Sequence, residues 1–392
     1  MSAVTSDRPG QFAEPRQGLT RTLARHAATL EFDALPSALV EMLKQCVLDT
    51  LGVAIGASTL APEAAVLAEY VNDLGGKPEA TLLGFVAGAA TAGRLLGLDD
   101  EQMENALGIG FNQMSGSRQM AVGAATHMRS MQAGFSGQGA VLAAELARRG
   151  IIGSKEIVEG RYGFFRTYIR GREPDWDGIV SGLGAEFPLL EKHGFKVWPA
   201  CAYTRTTNAS TLALRQQHGL NPEDIASITI VGGTGGTQLL CEPIEKKRRP
   251  KVSIDGKYSI PFTTAVMAAK GDVTLRDYTQ EGLNDPAVLA MADRVSYRPA
   301  GQALTGKGGS ADVSRTSVEI VTRDGRRLEH RATGVPGDPK NPVSWERLEA
   351  KFRDCVSFAA RPIAAWKVER AVEAIRQLET MADATEVARL LS

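Results

Sequence analysis

Metal-binding and redox signatures are missing from this chain. Its four cysteines, Cys46, Cys201, Cys241 and Cys355, stand far apart, with no C-x-x-C pair and no histidine at ligand spacing, so a zinc ribbon or an iron–sulfur cluster is unsupported. The five histidines, His26, His127, His193, His218 and His330, are equally scattered. Neither an H-E-x-x-H pair nor a G-x-S-x-G elbow occurs, which removes two common hydrolase chemistries. No run of about 18 apolar residues suggests a membrane span. The stretch Met1 to Gln17 is polar and contains proline, without the apolar centre of a signal peptide. The expected location is therefore a reducing compartment, most simply the cytoplasm. Charge of one sign is also missing, because Lys plus Arg and Asp plus Glu both number 45. Nucleic acid and anionic membrane surfaces, which call for a basic excess, are not expected partners. The one local exception, Glu245-Lys-Lys-Arg-Arg-Pro250, reads as a solvated loop.

What is present is enough chain, 392 residues, for two domains. Residues 1–18 read as a disordered arm. Pro36 stands at a helix start, and Val40, Leu43, Val47, Leu48 and Leu51 follow at helical spacing, which predicts a buried helix. Further helices are predicted over Glu63 to Asn72, over Ala87 to Leu96, and from Asp99-Asp100 with Met103, Leu107 and Phe111 on one face. Gly134 to Ala147 is dominated by small residues, which let helices approach closely. Beyond about Glu191 strands enter. Ile225 to Val231 alternates, and Thr316 to Val321, Asp324-Gly325 and Arg327 to Thr333 form a hairpin pattern. Helices are predicted over Ile260 to Ala269 and from Thr274. Ser344 is a helix N-cap with Glu346 in the first turn and Leu348, Phe352, Cys355 and Val356 on one face. Ile363 to Met381 reads as a last amphipathic helix.

Several glycine-rich stretches imitate nucleotide-binding motifs. Gly301-Gln-Ala-Leu-Thr-Gly306-Lys307-Gly308-Gly309 has glycine where a phosphate loop needs serine or threonine, and a strand follows it. Gly134 to Gly139 lacks dinucleotide-fingerprint spacing, and Gly232 to Gly236 reads as a mobile loop with some character of an anion nest.

Chemistry concentrates in Lys196-Val-Trp198-Pro199-Ala-Cys201-Ala-Tyr203-Thr204-Arg205. Pro199 biases Trp198 toward an extended backbone, and the chain turns helical from Asn208. Lys196 thus stands on a loop feeding a helix, a setting that attracts anions, and a carboxylate is the first ligand to consider for it. A solvated surface lysine is the alternative.

Six stretches taken together resemble the MmgE/PrpD family. They are Asp49-Thr-Leu-Gly52-Val53, Leu95-Leu-Gly97-Leu98-Asp99 with Ala106-Leu-Gly108-Ile109, Glu159-Gly160-Arg-Tyr-Gly163-Phe164-Phe165, the Lys196 run, Tyr258-Ser259-Ile-Pro261, and Gly337-Asp-Pro339-Lys-Asn341-Pro342. Their order follows the family from end to end. The resemblance implies a mostly α fold: a large all-helical domain from both chain ends (19–190 and 341–392) with a smaller α+β lid (191–340) inserted. It also implies a homodimer, no metal or organic cofactor, and lyase chemistry of the hydro-lyase type, or a related decarboxylation or epimerisation, on a small di- or tricarboxylate. In such chemistry a base removes a proton next to a carboxylate while cations hold the carboxylates and stabilise enolate-like charge.

Position by position, Lys196 matches the family's lid lysine, and Arg129 falls where many members have lysine, which favours a bidentate carboxylate clamp over proton transfer. The resemblance thus sets two cations from opposite domains on one substrate. Gln132 and Arg205 fall where many members have histidine, and Phe262 where decarboxylase-like members have tyrosine. Cys201, Tyr203, Thr204, Tyr258 and Ser259 are polar wall candidates. After Gly84 a long family segment that carries acidic and histidine motifs is absent, so the base is unassigned, with His127 and Tyr258 as the remaining candidates. This absence supports a second reading, a catalytically impaired homologue that keeps the scaffold. It also predicts exposed apolar helix faces, and with them lower stability, a covering partner or aggregation.

Overall fold

A computed structural model describes residues 16–60, 82–114, 128–169, 174–233, 236–300 and 316–392. The helix expected over Glu63 to Asn72, the loop Gly301 to Gly309 and nearly all of the expected arm 1–18 lie outside the described residues. These residues are mostly helical with a small sheet. Among them no helix is long and apolar enough to cross a membrane. The chain divides into two compact units, Met1–Ser37 with Val66–Phe187, and Ala38–Ala65 with Pro188–Ser392.

The first unit packs the helices Leu19–Thr29, Leu82–Leu95, Asp100–Asn112 and Met128–Arg148. Asp99 caps the third of these by a reciprocal capping box with Gln102, as the paired acids at its start suggest. Met103 and Leu107 are buried there. Small residues set the spacing of the last helix: Ala140, Ala143, Ala144 and Ala147 are almost wholly buried, and a Cβ on Gly139 would stand 2.3 Å from the Phe85 ring. Glu159 is buried and accepts both the Thr20 amide, at 3.2 and 3.3 Å, and the Thr20 hydroxyl, at 2.5 Å. This family-like stretch therefore anchors the first turn of Leu19–Thr29, where a carboxylate meets free N–H groups. Along Met128–Arg148 the apolar side chains Phe135, Val141 and Leu142 are exposed.

The second unit contains a four-stranded sheet, β1 (Ile225–Gly232), β2 (Val295–Pro299), β3 (Ser317–Thr322) and β4 (Arg327–His330), in the order β2-β1-β3-β4. β2 runs parallel to β1, and the other two pairs are antiparallel. Gly325, at φ +88°, supplies the turn of the β3–β4 hairpin. Ile228, Ile230, Val295 and Ile320 pack with Phe262 and Val266 of the helix Ile260–Lys270 in one core. A second core joins the helix Ser37–Leu60 to Trp345–Val356 and Ala365–Arg376 through Leu48, Phe352, Val372 and Ile375. Burying each such side chain contributes about 1.5–3 kcal/mol.

Three local expectations need correction. Ser37–Leu60 is a helix, but Leu43 is exposed, because its apolar residues surround the axis and only one stripe faces the core. The last predicted helix ends at Arg376, and a 3₁₀ turn, Leu378–Thr380, follows. The basic run is not a solvated loop. Ile244–Arg248 is a short helix, Lys247 Nζ donates to the Tyr258 carbonyl at 2.9 Å, and Arg248 donates to the Val295 carbonyl at 2.6 and 2.8 Å.

Candidate active site

Lys196 lies on an irregular segment between buried neighbours. Phe195, Val197 and Trp198 are buried while Lys196 is exposed. Three contacts hold this segment. The Phe195 amide donates to the Gly337 carbonyl at 2.8 Å. The Lys196 carbonyl accepts Lys351 Nζ at 2.9 Å, and that ammonium also reaches Asp49 Oδ1 at 2.5 Å. Trp198 Nε1 donates to Asp272 Oδ1 at 2.8 Å. The Lys196 ammonium therefore projects from a fixed backbone, so an anion meeting it need order only the side chain. Asp49 and Gly337 come from two of the other family-like stretches, which explains the pairing of those motifs with the lysine run.

The rest of the run is tied to the Tyr258 segment. The Cys201 amide donates to the Lys257 carbonyl at 2.9 Å. Lys247 Nζ holds the Tyr258 carbonyl, and Ser259 Oγ returns a hydrogen bond to the Lys247 carbonyl at 2.5 Å. Burial pushes the Lys247 ammonium below the ordinary lysine range, with Asp255 partly opposing it. Sequence reading missed Lys247, Lys351 and Asp272, because their partners are remote in the chain and leave no local pattern. Asp49 alone carried a signal, its place in the first family-like stretch.

Several predicted wall residues have their polar atoms committed to the protein. Thr204 is fully buried, and its hydroxyl donates to the Cys201 carbonyl at 2.8 Å. Ser259 is fully buried and also caps Ile260–Lys270 by accepting the Phe262 amide at 3.1 Å. Arg205 Nη2 donates to Asp338 Oδ1 at 2.6 Å and to the Pro336 carbonyl at 3.0 Å, which fastens the Gly337 turn to the start of the helix Arg205–His218. Cys201, Tyr203 and Tyr258 are half-buried. Phe262 is fully buried. Gln132 is half-buried in Met128–Arg148, where its carbonyl accepts the Ser136 hydroxyl at 3.3 Å. Arg129 belongs to that same helix; its side chain and all of His127 lie outside the described residues.

A cleft of about 220 Å³ in the second unit is lined by Val197, Pro199, Asp272, Arg347, Lys351 and Asp354, among others. Burial raises the Asp354 carboxyl above its ordinary range, partly opposed by hydrogen bonding to the Leu275 backbone. Among the described residues no group of three or more His, Cys, Asp or Glu side chains is placed to hold a metal ion.

Residues 198–377 match the MmgE/PrpD C-terminal domain, and residues 21–85 and 81–177 match the MmgE/PrpD N-terminal domain. The two N-terminal matches meet beside Gly84, where the sequence reading finds a family segment absent. Among curated proteins, the chain is 26% identical to the cis-aconitate decarboxylase of Aspergillus terreus over 79% of this chain and 63% of that protein. It is 22% identical to the human cis-aconitate decarboxylase over 79% of this chain and 62% of that protein. It is 26% identical to the mitochondrial 2-methylcitrate dehydratase of Yarrowia lipolytica over 54% of this chain and 40% of that protein. The chain thus spans less than two thirds of the length of the curated relatives it matches.

Proposed function

The chain belongs to the MmgE/PrpD family, and from that premise we propose that it is a lyase acting on a small di- or tricarboxylate by proton transfer at a carbon next to a carboxylate. The observation that carries this reading is the exposed Lys196 ammonium on a backbone held at Phe195, Lys196 and Trp198. A lysine is a compact point charge, suited to a carboxylate whose charge grows toward an enolate as the adjacent proton leaves. Arg129 is the proposed second cation, with the planar fork that suits bidentate carboxylate binding. Tyr258 and His127 are the candidates for moving the proton. Thr204, Ser259 and Arg205 serve the same site by holding its walls. The proposed assembly is a homodimer, with the helical domain and α+β lid that the resemblance implies. The test is incubation of the purified protein with 2-methylcitrate, citrate and cis-aconitate, with products read by NMR. A new alkene, hydrate or decarboxylated product supports the reading, and no change in any of the three rejects it for these acids.

A second reading is favoured by one observation, the adjoining of the two N-terminal family matches, 21–85 and 81–177, at Gly84. A homologue without the family segment after Gly84 binds carboxylates weakly and turns nothing over. Loss of a general base removes a factor of about 10² to 10⁴. Carboxylate binding by calorimetry without product formation is the result that selects this reading.

A further inference from the structure

We propose that Lys351 is a positioning residue for Lys196, fixing the lysine's main chain from behind while Asp49 balances its charge. The inference rests on Lys196 as the carboxylate-binding cation, and its test separates the two. Lys351 projects from the helix Trp345–Val356, and its side chain is only 12% exposed. It spends two of its three donors on the Lys196 carbonyl at 2.9 Å and the Asp49 carboxylate at 2.5 Å. Asp49 comes from the helix Ser37–Leu60, so the lysine ties two helices of one core to the one segment that presents the exposed ammonium. An ordinary interior needs no cation here. Val197, on the next residue, already packs into the core, and a carbonyl facing the core edge could be met by any backbone amide. A charged donor makes a stronger bond to that carbonyl than a neutral one, and the paired Asp49 keeps the added positive charge from competing with Lys196 for the anion.

Lys351 also lines the 220 Å³ cleft, which provides a direct experiment. Shortening it in Lys351→Ala leaves a space into which ethylammonium can diffuse. Hydrogen–deuterium exchange of the amides from Phe195 to Trp198 is expected to speed up in Lys351→Ala, to slow again in ethylammonium, and to stay near wild type in Lys351→Arg. Where an acid is turned over, kcat falls by about a hundredfold, the scale of a misplacement of about 1 Å, KM stays within about threefold, and the amine restores part of kcat. Unchanged exchange in a folded Lys351→Ala protein overturns the proposal, as does full kcat in an enzyme that Lys196→Ala inactivates. If Lys351→Ala does not fold, Asp49→Asn, which keeps the shape of the partner and removes its charge, carries the same exchange measurement. If the wild type turns over no acid, the functional reading fails and the exchange result alone decides the positioning role.

Discussion

The Gly337 carbonyl accepts the Phe195 amide at 2.8 Å, one residue before Lys196, and Gly337 can do so because it holds φ at +90°. A Cβ there would stand 2.0 Å from the Phe195 carbonyl oxygen. Gly337→Ala therefore has to shift the backbone that carries Lys196. Strain of this kind costs about 1–3 kcal/mol, and denaturant unfolding is expected to show a lower midpoint with an unchanged slope.

Trp198 is 3% exposed and its indole N–H has Asp272 as acceptor. Asp272→Ala leaves that donor buried without its partner, a loss of about 1–3 kcal/mol. Arg347 Nη2, at 3.3 Å from Asp272 Oδ2, loses its acceptor in the same change. Tryptophan emission in the folded state is expected to shift to the red as water reaches the indole, and Asp272→Asn is expected to retain most of the wild-type spectrum.

A pH dependence follows from Lys44, which is buried and bonded to Glu41 at 2.5 Å and to Glu379 at 2.8 Å. Burial alone lowers the ammonium's pKa, but the hydrogen bonds to Glu379 and Glu41 outweigh it and hold it above 10.5. The same bond holds Glu379 below its ordinary 4.5. The lysine side of this stabilisation is complete below pH 10.5 and is lost as pH rises through the raised folded value; the glutamate side is complete above pH 4.5 and is lost as pH falls through the depressed one. The melting temperature of Lys44→Met is thus expected to lie below wild type at neutral pH, and the gap is expected to close toward strong acid. A gap that stays constant across the acid limb contradicts this.

Phe135, Val141 and Leu142 are exposed apolar side chains on Met128–Arg148, with Phe135 and Leu142, two turns apart, on the same side of the helix. Contiguous exposed apolar surface promotes association. The double variant Val141→Glu, Leu142→Glu is expected to shift sedimentation toward the monomer, or to remove aggregation, without loss of helical circular dichroism.

Elements with a local cause were legible. Asp324-Gly325 predicted the β3–β4 hairpin through one positive φ, and Ser344 predicted the start of Trp345–Val356, where its hydroxyl accepts the Arg347 amide. β2 was not read, because Val295–Pro299 is a short edge strand whose pairing with β1 depends on residues some 67 positions away. At the site, residue types picked out the Lys196 run, but they could not tell an exposed cation from committed ones. Among the described residues the exposed Lys196 side chain has no ion-pair partner, whereas Arg205 and Lys247, equally charged in the sequence, are bonded to Asp338 and to the Tyr258 carbonyl. That difference is made by tertiary contacts between segments remote in the chain.

The most direct test of the proposed chemistry is deuterium wash-in at the carbon next to a carboxylate, followed by proton NMR of 2-methylcitrate, citrate and cis-aconitate in D₂O. Lys196 is exposed and outside both cores, so Lys196→Ala is expected to change folding stability by no more than about 0.5 kcal/mol. The account predicts label entering at least one acid with wild-type protein and none above background with Lys196→Ala. Label entering at the same rate in both proteins contradicts it.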